Sequence, residues 1–279
     1  MHGKVVVITG GTSGIGQVAA EKLAAMGARI VLVARDKQRG ETTLKRLPGP
    51  GSHSVHYADL SVLSGMKSAA AEIAAAEPRI DVLINNAGAM FTNRQLTPDG
   101  LEKTFAVNHL AYYVLTEGLR ERLIASAPAR IVSTSSDAHK GARLDFNDLQ
   151  SANGYSGFKV YGRSKLCNIL FTRELARQLN GTKVTANCLH PGFVATRFGD
   201  QSGGLLSSAI GFAKLFAISP EKGAETIVYL ASSEAVDNVT GQYFYQCRPL
   251  APTREAQDDA AARRLWEETA KLAGDHVSW

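Results

Sequence analysis

The chain has 279 residues, more than a typical domain of roughly 150, but α/β folds commonly reach this length as one domain. Hydrophobic residues make up 44% of the chain and charged residues 20%, which excludes disordered, collagen-like and coiled-coil proteins. The net charge of +5 is scattered, and the longest basic run is Arg263-Arg264, so no nucleic-acid-binding surface is expected.

Three cysteines, Cys167, Cys188 and Cys247, are too few and too widely spaced for a disulfide framework or a zinc site. The N-terminus leads directly into an apolar strand pattern, without the features of a signal peptide. No apolar stretch approaches the roughly 18 residues of a membrane span. We therefore expect a cytoplasmic protein that has no metal and no integral membrane segment.

Short β-branched runs alternate with longer helical patterns along the chain. Alternation of this kind predicts a single α/β domain over residues 1–279, a doubly wound, seven-stranded parallel sheet with helices on both faces. The predicted strands are Lys4 to Thr9, Arg29 to Ala34, Ser54 to Tyr57, Val82 to Asn85, Ala129 to Thr134, Val184 to Leu189 and Gln242 to Tyr245. The predicted helices are Gly14 to Met26, Asp36 to Leu47, Ala69 to Ala76, Gly100 to Phe105, His109 to Ile124, Tyr155 to Leu179, Glu221 to Ala231 and Asp258 to Ala273.

Two further segments stand apart from this alternation. Within residues 196–220, the stretch Gln201 to Ser219 begins Gly/Ser-rich and becomes apolar, which predicts a substrate lid beside the ligand crevice. Residues 255–279 form a C-terminal helix and tail, whose apolar positions Leu265, Trp266 and Leu272 are expected to pack inward.

A glycine-rich turn separates the first predicted strand from the first helix. Glycines allow the backbone to approach a pyrophosphate closely, and the helix start presents N–H groups and a positive dipole end. The position of the turn therefore predicts a dinucleotide site. Its expected cofactor-binding residues are Gly10, Thr12, Ser13, Gly14, Ile15 and Gly16.

The second strand ends at Arg35-Asp36, where enzymes that select the unphosphorylated dinucleotide usually place a carboxylate. The guanidinium of Arg35 suits a 2′-phosphate, and Lys37 and Arg39 add positive charge nearby. Asp36 is interpreted as a cap of the second helix. NADP(H) is favoured on these grounds, and NAD(H) stays possible.

Tyr161 and Lys165 lie four residues apart on the long predicted helix, so their side chains share a face. A phenol titrates near 10, and a neighbouring ammonium is expected to lower this pKa toward neutrality, so that Tyr161 can exchange a proton with a carbonyl or an alcohol. Ser136 follows the fifth strand at the ligand-binding edge, where its hydroxyl can steady developing charge on the substrate oxygen.

At this point the residues resemble the short-chain dehydrogenase/reductases over nearly the whole chain. The motifs that carry the resemblance are Thr9-Gly10-x-x-x-Gly14-Ile15-Gly16, Asp59-Leu60, Asn85-Asn86-Ala87-Gly88, Asn108, Ser136, Tyr161-x-x-x-Lys165 and Pro191-Gly192. The segments Val107 to Leu110, Ser164 to Phe171 and Gly241 to Phe244 are similar to the branch that contains retinol dehydrogenases.

The resemblance implies a Rossmann fold and further roles. Ser136, rather than Ser135, would be catalytic beside Tyr161 and Lys165, and Asn108 would hold a water that links the lysine to solvent. Lys165 would also bind the nicotinamide ribose. The remaining cofactor-binding positions implied are Asp59 and Leu60 at the adenine, Asn86, Ala87 and Gly88 along the cofactor, and Pro191, Gly192, Val194 and Thr196 at the carboxamide.

The expected function is therefore reduction of a small-molecule carbonyl, or oxidation of an alcohol. Apolar lid residues and Leu144, Phe146 and Leu149 would flank the nicotinamide end, which favours a lipophilic substrate. Membrane-bound retinol dehydrogenases usually carry an N-terminal anchor that this sequence lacks, which favours a soluble carbonyl reductase.

Two alternatives and the assembly stay open. A protochlorophyllide-reductase-like enzyme would share the Tyr161, Lys165 and Cys167 pattern, and a non-catalytic dinucleotide-sensing module would keep the fold without the chemistry. Family members often form a homodimer or homotetramer through the helices predicted here at His109 to Ile124 and Tyr155 to Leu179. Gly118 and Gly162 would permit close helix approach between subunits or within one chain.

Overall fold

The computed structural model describes residues 1–49, 52–192 and 218–274. Its described strands form one sheet in the order β3-β2-β1-β4-β5-β6-β7-β8, parallel except for the last pair. The strands are β1 (Val5–Thr9), β2 (Arg29–Ala34), β3 (Ser54–Tyr57), β4 (Val82–Asn85), β5 (Ala129–Thr134), β6 (Val184–Leu189), β7 (Tyr243–Tyr245) and β8 (Arg248–Pro249).

Helices cover both faces of this sheet. The α-helices are α1 (Gly14–Ala25), α2 (Lys37–Arg46), α3 (Leu63–Ala76), α4 (Lys103–Phe105), α5 (Ala111–Gly118), α6 (Arg120–Ala125), α7 (Gly157–Gln178), α8 (Pro220–Ser232) and α9 (Asp259–Ala273). Successive residues of β1 enter different cores, because side chains alternate along a strand. Val6 and Ile8 pack with α1 and α8, whereas Val7 packs with α3, α5 and α7.

The strand order reverses at β1. The chain adds β2 and β3 on one side of β1, and then returns to add β4 and the later strands on the other side. In a doubly wound sheet this reversal opens a crevice at the carboxyl ends of the strands, because the connecting helices leave to opposite sides. The predicted doubly wound α/β fold is confirmed, and it places the ends of β1, β4, β5 and β6 around this crevice.

The strand count differs from the prediction of seven parallel strands. An eighth strand, β8, turns back from β7 and pairs antiparallel to it. The turn between them holds Gln246 and Cys247 at φ of +47° and +61°. Two-residue hairpins of this hand are usually built from Asn and Gly, so Gln-Cys carries no recognisable turn signal.

Helix boundaries also differ between Gly100 and Ile124. The predicted helix Gly100 to Phe105 is reduced to α4. Glu102 caps α4 by accepting hydrogen bonds from the backbone N–H groups of Thr104 and Phe105. A π-helical turn, Ala106–Leu110, follows and leads into α5. The single predicted helix His109 to Ile124 breaks at Leu119, where ψ of 0° ends α5 and α6 begins.

The C-terminal helix α9 packs along α7, as its amphipathic pattern predicts. Trp266 is 4% exposed and stacks on Phe171, with ring centroids 5.5 Å apart. Two arginines of α7, Arg173 and Arg177, pair with Asp259 at the start of α9. The chain therefore covers this part of α7 with its own helix.

The two glycines considered for subunit contacts both make close approaches within the chain. A Cβ on Gly118 would lie 2.6 Å from the Ala70 Cβ, and a Cβ on Gly162 would lie 2.5 Å from the Ala138 carbonyl oxygen. Intramolecular packing thus accounts for both glycines. A homodimer or homotetramer stays a prediction.

In the described ranges, no helix combines the length and apolar character needed to cross a bilayer. The predicted lid, residues 196–220, falls outside the described residues up to residue 217, and the tail does so from residue 275.

Candidate active site

The glycine turn after β1 lies against the end of β4. Gly10 has φ of +66°, and a Cβ there would stand 2.9 Å from the Ala87 Cα. A Cβ on Gly16 would stand 2.4 Å from the carbonyl oxygen of Gly10. Only glycine fits either position, because the clashes are with backbone atoms that cannot move aside.

Hydrogen bonds from Thr9 and Asn86 fix this turn. The Thr9 hydroxyl accepts from the backbone N–H groups of Asn86 and Ala87, at 2.9 and 3.0 Å. The Asn86 amide donates to the carbonyl oxygen of Thr9 at 3.1 Å. Asn86 and Ala87, two predicted cofactor residues, are thereby held beside the glycines.

The start of α1 fits the pyrophosphate of a dinucleotide. Ser13 is its N-cap residue, and within the described chain its side chain makes no capping bond to the first turn. The early N–H groups of a helix, here at Gly14 and Ile15, have no partner inside the helix and carry the positive end of its dipole. Thr12 and Ser13 retain solvent access at this turn.

Arg35 and Asp36 follow β2 with different roles. The Asp36 carboxylate caps α2 by accepting from the Arg39 backbone N–H at 2.8 Å. The Arg35 side chain is exposed and has no ion-pair partner among the described residues. The carboxylate is thus engaged in the fold, while the guanidinium faces solvent beside the turn.

Asp59 and Leu60 lie after β3. Asp59 is exposed, and one of its carboxylate oxygens accepts from the Ser61 backbone N–H at 2.9 Å. Leu60 is 8% exposed and packs into the core. This local turn orients Asp59 without making it the cap of α3, which is Val62.

The structure brings Ser136, Tyr161 and Lys165 together at the carboxyl end of β5. Ser136 lies close enough to Tyr161 to lower the pKa of its phenol, and the Ser136 hydroxyl accepts from the Ala138 backbone N–H at 3.2 Å. The neighbouring Ser135 is buried, and its hydroxyl donates to the carbonyl oxygen of Lys165 at 2.7 Å. Of the two serines, Ser136 is therefore the one whose hydroxyl reaches the tyrosine.

Lys165 is 3% exposed and lies between two phenol rings. Its Nζ donates to the carbonyl oxygen of Thr134 at 3.1 Å. The same nitrogen lies 5.6 Å from the ring centroid of Tyr161 and 5.8 Å from that of Tyr112. Tyr112 is fully buried and donates to the Ala87 carbonyl oxygen at 2.9 Å, so it joins the lysine to the cofactor side of the crevice.

The expectation that Lys165 lowers the Tyr161 pKa is wrong. Burial raises the pKa of Tyr161 to about 12, although Ser136 lowers it in part. Burial also lowers the pKa of Lys165 to about 7. Desolvation penalises the charged form of each group, so the ammonium that was expected to favour a phenolate is itself disfavoured.

Asn108 lies in the π-helical turn and ties three segments together. Its amide oxygen accepts from the Ala89 backbone N–H at 2.8 Å, and its amide nitrogen donates to the Ala89 carbonyl and the Ser164 hydroxyl, both at 2.9 Å. A Cβ on Gly88 would lie 3.3 Å from both Asn108 Oδ1 and Lys165 Nζ. Asn108 therefore stands beside the lysine, with its side chain bonded to protein groups; its part in a water path stays a prediction.

Pro191 and Gly192 follow β6 on the same side of the crevice. Gly192 has φ of +90°, and a Cβ there would meet Ile218 at 2.9 Å, so the turn requires glycine. Val194 and Thr196 lie outside the described residues.

The apolar side chains of the loop after Ser136 pack partly against the core, and their place at the nicotinamide end stays a prediction. Leu144, Phe146 and Leu149 are partly buried against the core, and the Phe146 ring lies 4.4 Å from the guanidinium carbon of Arg264 in α9. Leu144 and Leu149 also line a small cavity with Phe105, Val160 and Cys167, so these side chains contribute to the core.

Cys167, the third element of the protochlorophyllide-reductase-like alternative, is buried in α7. It is 1% exposed, and burial raises the pKa of its thiol to about 12. The thiol lines a small cavity with Leu149, Val160 and Arg163. Its environment does not suit a proton donor to a ligand in the crevice.

Sequence reasoning missed Tyr112. Tyr112 follows the recognised Asn108 by four residues, and this helical spacing could have placed it on the same side. Among the described residues, no group of three metal-ligating side chains is present.

Comparisons with known proteins agree with this arrangement. A family model described as short chain dehydrogenase matches residues 4–203. The chain is 41% identical to human retinol dehydrogenase 14, with 98% of this chain and 87% of that protein covered. It is also 41% identical to human retinol dehydrogenase 13, with 98% and 85% covered.

Solved structures show the same likeness. An uncharacterised protein from Mycobacterium paratuberculosis has a TM-score of 0.80 and 31% identity, with 100% of this chain and 96% of that chain covered. A short chain dehydrogenase from Burkholderia cenocepacia in complex with NADP has a TM-score of 0.70 and 26% identity, with 87% and 96% covered. The chain therefore belongs to the short-chain dehydrogenase family, with retinol dehydrogenases among its relatives, and is an oxidoreductase acting on CH–OH or C=O groups.

Proposed function

We propose that this protein is an NADP(H)-dependent carbonyl reductase or alcohol dehydrogenase for a lipophilic aldehyde, ketone or alcohol, with Tyr161 as its general acid and base. The observation that carries the proposal is the grouping of Ser136, Tyr161 and Lys165 at the carboxyl end of β5, with the Lys165 Nζ 5.6 Å from the Tyr161 ring centroid. These three groups lie at the strand ends where the glycine turn also opens.

The residues at the crevice divide the work between holding the cofactor and moving a proton. The turn from Gly10 to Gly16 would hold the pyrophosphate, and Asn86 to Gly88 would line the cofactor. A bound nicotinamide would supply or accept the hydride. The high pKa of Tyr161 keeps its phenol protonated at neutral pH, so a proton is available for a carbonyl oxygen.

Ser136 and Lys165 support that transfer. The Ser136 hydroxyl can donate to the same substrate oxygen and reduce the charge that develops there. When Tyr161 gives up its proton, the resulting phenolate favours the charged form of Lys165, because an opposite charge within a few ångströms offsets part of the desolvation. The lysine thereby stabilises the tyrosine's anionic state.

The preference for NADP(H) is supported by the charges after β2. Arg35, Lys37 and Arg39 are all exposed, while the Asp36 carboxylate is occupied by the cap of α2. The carboxylate of Asp36 is therefore not free to accept hydrogen bonds from the ribose hydroxyls of NAD(H). The guanidinium of Arg35 could bind the 2′-phosphate of NADP(H). The related Burkholderia protein was solved in complex with NADP.

The lipophilic substrate is supported by two observations. The relatives reported above are named retinol dehydrogenases. In this chain, Phe158 is 67% exposed and lies three residues before Tyr161 on α7, which places it on the same side of the helix. An exposed aromatic ring one turn from the proposed acid suits an apolar ligand.

The free thiols of Cys167, Cys188 and Cys247 suit a reducing compartment such as the cytoplasm.

The test is turnover by the purified chain, followed by NADPH or NADH absorbance with retinal and with aliphatic aldehydes of increasing length. We expect NADPH to be preferred and kcat/KM to rise with chain length. Tyr161→Phe should lower kcat by roughly 10³-fold or more while NADPH binding is kept, since it removes only the proton.

Tyr229→Phe is the matched control, because Tyr229 lies in α8 on the other face of the sheet. Turnover of Tyr161→Phe at the control's rate would remove Tyr161 from the proposed role. Tight NADPH binding with no turnover of any substrate would instead support the non-catalytic dinucleotide-sensing alternative.

A further inference from the structure

The backbone carbonyl of Ser136 receives two hydrogen bonds from one residue, His139. The imidazole Nδ1 lies 2.7 Å from that oxygen, and the backbone N–H of His139 lies 3.1 Å from it. Both residues belong to the short turn that follows β5, and His139 is fully buried. The backbone from which the Ser136 side chain projects is therefore held by two hydrogen bonds from His139 to one carbonyl oxygen.

The contact fixes the tautomer of the ring. A carbonyl oxygen only accepts hydrogen bonds, so Nδ1 must carry the proton. The other nitrogen, Nε2, is buried and has no partner among the described residues. A charged ring would need an acceptor for a second N–H there, and burial lowers the pKa of His139 accordingly.

An aromatic cluster braces His139 from the strand side. The ring of Tyr243 in β7 meets it edge-on, with centroids 5.2 Å apart. The Tyr243 hydroxyl is 2.6 Å from Nδ1 of His190, and His190 stacks on Tyr245 at 4.2 Å. His190 directly precedes Pro191 and Gly192, so the cluster joins the turn after β5 to the turn after β6.

We propose that His139 is a positioning residue for the reaction. Its Nδ1–H holds the backbone of Ser136 so that the serine hydroxyl stays on Tyr161, and the Tyr243–His190 pair keeps the ring in place. The proposal rests on the proposed function, because the serine hydroxyl matters only if it meets a substrate oxygen beside Tyr161. A histidine that merely filled space would give the same burial without needing the Nδ1 proton.

Substitutions at His139 separate these two roles. The amide nitrogen of asparagine is as many bonds from the backbone as Nδ1, so His139→Asn keeps a donor toward Ser136. The amide nitrogen of glutamine corresponds to Nε2, and leucine has no donor. We expect His139→Asn to retain kcat within about 3-fold, and His139→Gln and His139→Leu to lose roughly 10- to 100-fold in kcat.

The dissociation constant of NADPH should change by no more than about 2-fold in all three variants, because the misplaced group is the serine and not the cofactor turn. Leu265→Ala in α9 is the control for stability, since that side chain is fully buried on the far side of α7. It should lower the urea midpoint while kcat stays near the wild-type value. Equal kcat values for His139→Asn and His139→Leu, high or low, would overturn the proposal.

A measurement on the wild-type protein guards against variants that do not fold. NMR of ¹⁵N-histidine-labelled protein should show the Nδ1–H tautomer of His139 at pH 7, and an Nε2–H tautomer would overturn the proposal. Absence of wild-type turnover would refute the proposed function and with it the positioning role, whereas an active enzyme with equal variants would refute the positioning role alone.

Discussion

Replacing Lys165 by methionine should stabilise the ligand-free protein at neutral pH while it abolishes turnover. Lys165 is 3% exposed, and among the described residues its ammonium has one acceptor, the carbonyl oxygen of Thr134. The Asn168 amide also donates to that oxygen at 3.1 Å, so the carbonyl keeps a partner in the variant. Methionine retains the apolar stem without the charge.

The magnitude follows from the pKa. A fall in the Lys165 pKa from 10.5 to about 7 corresponds to an unfavourable free energy of about 5 kcal/mol for burying the charged form. The variant loses one hydrogen bond from a charged donor, which contributes about 2 kcal/mol. We therefore expect Lys165→Met to gain about 3 kcal/mol in unfolding free energy at pH 6.5.

The gain depends on pH in a defined direction. The unfolded chain keeps the lysine proton up to about pH 10, whereas the folded chain loses it near pH 7. Between these values the unfolded state binds more protons, so wild-type stability rises with pH by about 1.4 kcal/mol per unit. The advantage of Lys165→Met is greatest below pH 7 and shrinks as the pH rises toward 10.

Urea unfolding at pH 6.5, 8 and 9.5, followed by tryptophan fluorescence, measures the difference between the two proteins. Other titrating groups are common to both and cancel in that difference. Lys45→Met, at an exposed position of α2, is the matched control and should follow the wild type at each pH. Parallel stability curves for the wild type and Lys165→Met would refute the reasoning.

Two further predictions concern the cofactor and the C-terminal helix. Arg35→Asp should lower the NADPH-to-NADH ratio of kcat/KM by roughly 10- to 100-fold, because a carboxylate replaces the guanidinium that would donate hydrogen bonds to the 2′-phosphate. Arg46→Asp, at the far end of α2, is the control and should leave the ratio unchanged. An unchanged ratio in Arg35→Asp would mean that other residues set the cofactor preference. Trp266→Ala should lower the unfolding free energy by about 3–5 kcal/mol, because it removes the buried ring that stacks on Phe171. The control, Lys271→Ala, changes an exposed side chain of the same helix and should have little effect. A calorimetric midpoint of Trp266→Ala equal to that of the wild type would show that α9 adds no stability.

The sequence could predict the fold because strands such as β1, β2 and β4 are continuous apolar runs, and β1 and β2 are each followed by a recognisable helix. The buried positions of β1 and β4 illustrate this, since nothing but a sheet covered on both faces suits them. The hairpin that adds β8 could not be predicted, because the unusual φ values of Gln246 and Cys247 are imposed by tertiary structure. The inward packing of Phe146 was also hidden, since its partner Arg264 is more than a hundred residues away.

The candidate site was predictable in its residues but not in its electrostatics. Motif spacing identified Tyr161 and Lys165 and led us to expect a charged pair that lowers the phenol pKa. Burial is a property of the whole fold, and it opposes the charge on both groups. Tyr112 contributes to that burial, and the signal for it in the sequence is its spacing of four residues from Asn108.

These electrostatics bear on the direction of the reaction. Burial raises the pKa of Tyr161, so its phenol starts protonated at neutral pH, whereas oxidation of an alcohol would begin by removing that proton. At the other end of the crevice, an exposed Arg35 suits the phosphorylated dinucleotide. The same phenol would act as the acid in reduction and, once deprotonated, as the base in oxidation, so the ratio of reduced to oxidised cofactor decides which direction runs.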